Sequence, residues 1–130
     1  MTAHIKLSGL VLGAAFLAGC QFYARAPEDY SQETKELLVT QNGDEIKACY
    51  DKILENDKDA EGIVAVDFTV EAKTGKITDP KINEEKTTAP TELQKCVLDT
   101  MDGLALDPPD QREGVASFEY EFQPNAPKQL

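Results

Sequence analysis

Cysteine is the one residue type in this chain whose spacing points directly to chemistry. Cys49 lies in IKACYDKIL at 46–54, and Cys96 lies in LQKCVLDTM at 93–101. Ile46, Cys49, Tyr50, Ile53 and Leu54 fall at i, i+3, i+4, i+7 and i+8. Leu93, Cys96, Val97, Thr100 and Met101 repeat the spacing, so each cysteine sits mid-helix on an apolar stripe. A redox couple needs a low-pKa thiol, commonly in a Cys-x-x-Cys step at a helix start, and neither cysteine has one. A metal site needs further ligands, yet the only histidine is His4, near the chain start. No Ser-His or Cys-His couple is available to the rest of the chain. If the compartment is oxidising, Cys49 and Cys96 are expected to pair. The bond would span 47 residues, worth about 4 kcal/mol by the chain-entropy argument. Free buried thiols are the alternative.

The third cysteine bears on the compartment. Lys6 precedes an apolar run, Leu7 to Ala18, that ends in LAGC at 17–20. Twelve helical residues rise only about 18 Å, short of the ~30 Å hydrocarbon layer, which fits a secretory leader rather than a span. The LAGC stretch resembles the bacterial lipobox. That resemblance implies removal of residues 1–19 and acylation of Cys20, and several acyl chains together hold a protein stably on a membrane. Gln21 follows the cysteine where lipoproteins kept in the inner membrane often carry aspartate, which favours an outer-membrane, periplasm-facing location.

Cleavage would leave 111 residues, enough for one small domain. Removing Lys6 leaves 12 basic residues against 24 acidic ones, a net charge of −12 that disfavours nucleic acid. Paired carboxylates could in principle hydrolyse glycosides, but with 24 acids chance pairs are inevitable. The reading is a non-enzyme without cofactor or metal. One stretch imitates a calcium loop: Asp57, Asp59, Glu61 and Gly62 match its positions 1, 3, 5 and 6. Position 12 is Phe68 instead of a bidentate glutamate, so an acidic turn is the better reading.

The positioning elements follow from periodicity. Residues 20–42 read as the lipidated cysteine and a tether with about 25 Å of reach, holding at most a short helix from Ser31 to Leu38. The domain is expected over 43–125, with 126–130 as a tail. Asn42 and Gly43 would turn into a helix from Asp44 to Asn56. Val64, Val66, Phe68, Val70 and Ala72 alternate with Ala65, Asp67, Thr69 and Glu71 as a half-buried strand, and KTGK at 73–76 reads as a hairpin turn with Gly75 at positive φ. A second strand near 76–83 has Ile77 and Ile82 at opposite parity, with Pro80 between them marking a bulge or an early end. Thr88 or Thr91 would cap the second helix and Gly103 would end it. A proline-containing loop leads to a last strand whose Ala116, Phe118, Tyr120 and Phe122 face the core. The expected fold class is α+β, in the order α-β-β-α-β, with a three-stranded antiparallel sheet and two helices on one face.

Taken in order, CYDKIL, the Gly62-led IVAVDFTVEAKTGKI, LQKCVLDTM, the proline loop and ASFEYEF resemble the TonB C-terminal-like domain family, in particular the branch named after the AgmX/PglI C-terminal domain of gliding proteins. The resemblance covers about 44–123. It departs from the family in having Leu104 and Leu106 where members often carry tryptophan, and in hanging from lipid rather than a membrane helix, so energy coupling is not carried over. It implies partner recognition by strand addition at the last strand, around Ala116, Phe118, Tyr120 and Phe122. The expected function is a lipid-anchored envelope module that binds or scaffolds an envelope protein. The alternative is a periplasmic inhibitor of a basic enzyme or a peptidoglycan-associated structural lipoprotein.

Overall fold

A long helix comes first among the described residues. The computed structural model describes residues 25–125, so the leader, Cys20 and the tail lie outside the described residues. Helix α1 runs Pro27–Leu54, 28 residues without a break, where the sequence pointed to a tether and an entry turn. Pro27 stands at the first helical position, its fixed φ suiting a helix start. Glu28 and Asp29 sit at the positive end of the dipole, and the Asp29 carboxylate accepts the Ala26 N–H at 3.3 Å. Tyr30, Thr34, Leu38 and Ile46 are buried along one line, spaced by fours and an eight. The stripe is thin, and charged residues dilute it, which hides the period. Gly43 is helical and costs roughly 1 kcal/mol against alanine, but only an unbroken helix delivers Tyr30 and Leu38 to the core. Asn42 is no turn residue either: its amide donates to the Thr100 carbonyl of the second helix.

Strands β1 (Gly62–Val70), β2 (Ile77–Ile82) and β3 (Gly114–Phe122) form one antiparallel sheet in the order β2-β1-β3. Val64, Val66, Phe68 and Val70 are buried on one face of β1, as their alternation predicts. In β2, Ile82 pairs with Val66 and Ile77 with Val70, with a register shift between them. Asp79 there has φ 51°. That bulge puts two isoleucines of opposite parity on the same face. After Ile82 the chain stays beside β1. Asn83 N–H donates to Ala65 O at 2.9 Å and Thr88 N–H to Ile63 O at 2.8 Å. The hydroxyls of Thr87 and Thr88 accept the Ala65 and Ile63 N–H groups at 3.0 and 2.9 Å. Thr88 is therefore occupied by the sheet, and helix α2 (Thr91–Met101) starts on Pro90 without a side-chain cap.

Both helices cover the same face. Leu38 and Ile46 of α1 and Leu93, Val97 and Met101 of α2 meet Val64, Val66, Phe68, Phe118 and Phe122 of the sheet in one cluster. The loop after α2 joins it through buried Leu104 and Leu106. This loop also pairs with the β1–β2 hairpin, Ile77 N–H to Leu104 O at 2.9 Å and Leu106 N–H to Gly75 O at 2.8 Å. Gly75 has φ 71°, and a Cβ there would collide with the Leu106 carbonyl oxygen. No described helix is long and apolar enough to cross a membrane.

Candidate functional site

The matched stripes bring the helix cysteines together. Cys49 and Cys96 form a disulfide with a Cα–Cα separation of 6.0 Å, an ordinary span for such a bond. Cys96 is buried and Cys49 half-buried, so the bond sits at the rim of the helix pair and ties α1 to α2.

Strand β3 is an edge strand paired with β1 from Gly62↔Phe122 to Val70↔Gly114. The main chain of Ile63 and Ala65 bonds away from β3, toward the segment after β2. In an antiparallel ladder alternate residues bond to opposite sides, so Gly62, Val64, Val66, Phe68 and Val70 are the residues of β1 that bond to β3. Their partners Phe122, Tyr120, Phe118, Ala116 and Gly114 therefore bond inward. The four residues that the sequence assigned to a partner edge thus point their side chains at the core and spend their backbone groups on β1. The outward N–H and C=O groups belong to Val115, Ser117, Glu119 and Glu121. The sequence signal was present, since both roles follow from period two, but which residues bond outward depends on the register with β1.

Half of that edge is already covered. Ser31 of α1 donates its hydroxyl proton to the Ser117 carbonyl, and the Tyr30 ring lies where a Cβ on Gly114 would go. Helix α1 runs alongside β3, and Tyr50 meets Phe122 edge to face at 4.9 Å between centroids. Among the described residues nothing bonds to the outward groups from Glu119 onward, and the sheet ends there in a cleft of about 440 Å³ lined by Glu61, Ile63, Thr88, Glu121 and Pro124 among others. Burial and then the charge of Glu61 raise the pKa of the Tyr50 hydroxyl, and burial raises that of Tyr120; both stay neutral donors in ordinary buffers. The Tyr50 hydroxyl uses its proton on Ala60 O at 2.7 Å.

The opposite end of α1 holds a buried ionic knot that sequence reasoning missed. Asp110 is 0% exposed. It accepts the Arg25 N–H at 2.6 Å, the Arg25 Nη1 at 2.5 Å and the Tyr30 hydroxyl proton. Arg25 also donates to Glu33 at 2.6 Å and to the Pro108 carbonyl at 2.8 Å. Burial alone would raise the Asp110 pKa, but the Arg25 amide, the Tyr30 hydroxyl and the Arg25 charge hold it below the usual range. Burial first, then the bond to Asp110, push Tyr30 up to about 12. The available signal was Pro27 as a helix start with Tyr30, Thr34 and Leu38 behind it. Nothing local marks Asp110 as its partner 80 residues on. The knot anchors structure, since its Asp110 carboxylate and Arg25 guanidinium are both buried.

The acidic turn Asp57–Gly62 folds as a turn: Asp59 N–H donates to Asp57 Oδ1 at 3.2 Å, and β1 begins at Gly62. Among the described residues no group of three or more His, Cys, Asp or Glu side chains is placed to hold a metal ion. No family model, curated protein or solved structure matches the chain.

Proposed function

We propose that this protein is a lipid-anchored module of the bacterial envelope that binds or scaffolds another envelope protein, taking an extended segment of its partner onto the open edge of β3. The observation that carries the reading is the set of outward main-chain groups at Glu119 and Glu121, which find no hydrogen-bond partner among the described residues, whereas Ser31 of α1 reaches the edge at Ser117. Unpaired edge groups are a template for an added strand. The flanking Glu61 and Glu121 are exposed and, unlike Glu119, which faces Lys86 at 4.0 Å, meet no base among the described residues, so the fitting segment is basic. The LAGC motif at 17–20 and the TonB-like order of elements support the envelope setting, and Gln21 favours the outer membrane facing the periplasm.

Glu121→Pro removes one outward N–H and leaves the β1 ladder intact, because Glu121 does not bond to β1. Pulldown from detergent-solubilised envelopes should recover a partner with the parent protein and lose it with this variant at unchanged circular dichroism. Equal recovery of every partner by both proteins would sink strand addition.

A second reading rests on Glu55, Asp57, Asp59 and Glu61, which are all exposed at the same end. Such an acidic rim suits blocking the cleft of a basic enzyme. Inhibition of a cationic muramidase by the purified domain supports that reading, and sedimentation with peptidoglycan supports a wall-associated role instead.

A further inference from the structure

Where the domain begins changes how it sits on a membrane. Arg25 is locked into the fold through Asp110, Glu33 and the Pro108 carbonyl, and α1 starts at Pro27. Cys20 lies only five residues before Arg25. Whatever path those residues take, they span at most about 17 Å. The tether read from the sequence has therefore become part of the domain.

We infer that the end of the domain bearing Arg25 rests against the lipid surface, and that α1 stands as a post lifting the acidic end away from it. This rests on the proposed acylation of Cys20. The occupant of the Arg25 end is the bilayer surface, and the argument for it is the shortness of the link. Around Arg25 lie Pro27, Tyr30, Arg112, Glu113 and Val115, lining a shallow hollow of about 220 Å³. Val115 is 66% exposed, an apolar side chain facing outward near the exposed Arg112, as suits a headgroup layer. The other end is far off. Helix α1 has 28 residues, about 42 Å of length, and β3 runs beside it from Gly114 near Tyr30 to Phe122 near Tyr50. Its nine residues span about 27 Å. The open half of the edge and the acids Asp57, Asp59 and Glu61 thus face away from the membrane, where a basic partner can approach without meeting lipid.

The test uses the full chain made in bacteria, with the intact mass reading the acyl groups directly. A fluorophore goes on Val115→Cys or on Asp59→Cys; the oxidised Cys49–Cys96 pair and a thioether at Cys20 leave only the new thiol to label. The protein is reconstituted into phosphatidylethanolamine and phosphatidylglycerol vesicles carrying a headgroup quencher. Quenching at position 115 should exceed that at 59 several-fold, and a 20-residue Gly-Ser insert between Ala24 and Arg25 should erase the difference. Equal quenching on an acylated chain overturns the orientation while leaving the anchor standing, and a difference that survives the insert overturns the short link as its cause. A chain that carries no acyl mass overturns the anchor and the orientation with it.

Discussion

The Tyr30 hydroxyl donates a hydrogen bond to the Asp110 carboxylate across 80 residues of chain, closing the first turn of α1 onto the loop that leads into β3. Both groups are buried, and Arg25 completes the set from the other side. Removing one member of a buried ionic set leaves the others uncompensated, which typically costs 3–5 kcal/mol. Asp110→Ala should lower the unfolding free energy by about 3 kcal/mol in urea titration, and Tyr30→Phe by about 1.5 kcal/mol. The double variant should fall short of the sum, because each single change already breaks the shared bond. Strict additivity would contradict the contact.

The same pair sets two pH limits. Asp110 has a lowered pKa in the fold, so its stabilisation is present above the ordinary carboxylate value near 4 and is lost as pH falls through the folded value. Tyr30 has a raised pKa, about 12 against 10. The unfolded chain ionises first, so stability drains away as pH rises from about 10 to 12. Melting temperatures across pH should show both limbs. Asp110→Asn should flatten the acid limb and Tyr30→Phe the alkaline one.

Truncation separates a tether from a structural helix. A chain of residues 44–125 lacks Tyr30, Thr34 and Leu38, all buried in α1, and each lost large side chain costs about 2–5 kcal/mol. Together these losses approach the whole stability of an ordinary domain, about 5–15 kcal/mol. Circular dichroism should show 25–125 folding cooperatively and 44–125 failing to do so.

The disulfide spans 47 residues, and its reduction should lower stability by about 4 kcal/mol on the chain-entropy model. Thermal melts with and without reductant measure this. Thiol titration of the denatured, unreduced protein should find neither Cys49 nor Cys96 free.

Two glycines should respond in opposite directions to alanine. Gly75 has φ 71° and its Cβ would strike the Leu106 carbonyl, so Gly75→Ala should cost more than about 2 kcal/mol. Gly43 lies within α1 with nothing within 4 Å of a Cβ, and Gly43→Ala should stabilise by about 0.5–1 kcal/mol. Urea midpoints of the two variants check the contrast.

The sequence by itself determined the α-β-β-α-β order, the antiparallel sheet, the inward faces of β1 and β3 and the facing cysteine stripes. Each rests on a repeat of two or of 3.6 residues, which acts between near neighbours and is therefore written locally. Tertiary structure alone decided three things. It extended α1 back to Pro27, because the free energy that holds Tyr30 and Leu38 in a helix comes from β3 and α2, not from their neighbours in the chain. It joined Arg25 to Asp110, a pairing that only folding brings within reach. And it turned the main chain of Phe118 and Tyr120 toward β1 and that of Glu119 and Glu121 away from it, since the direction in which a strand residue turns its N–H is fixed by the partner strand's register, which no side-chain pattern on β3 records.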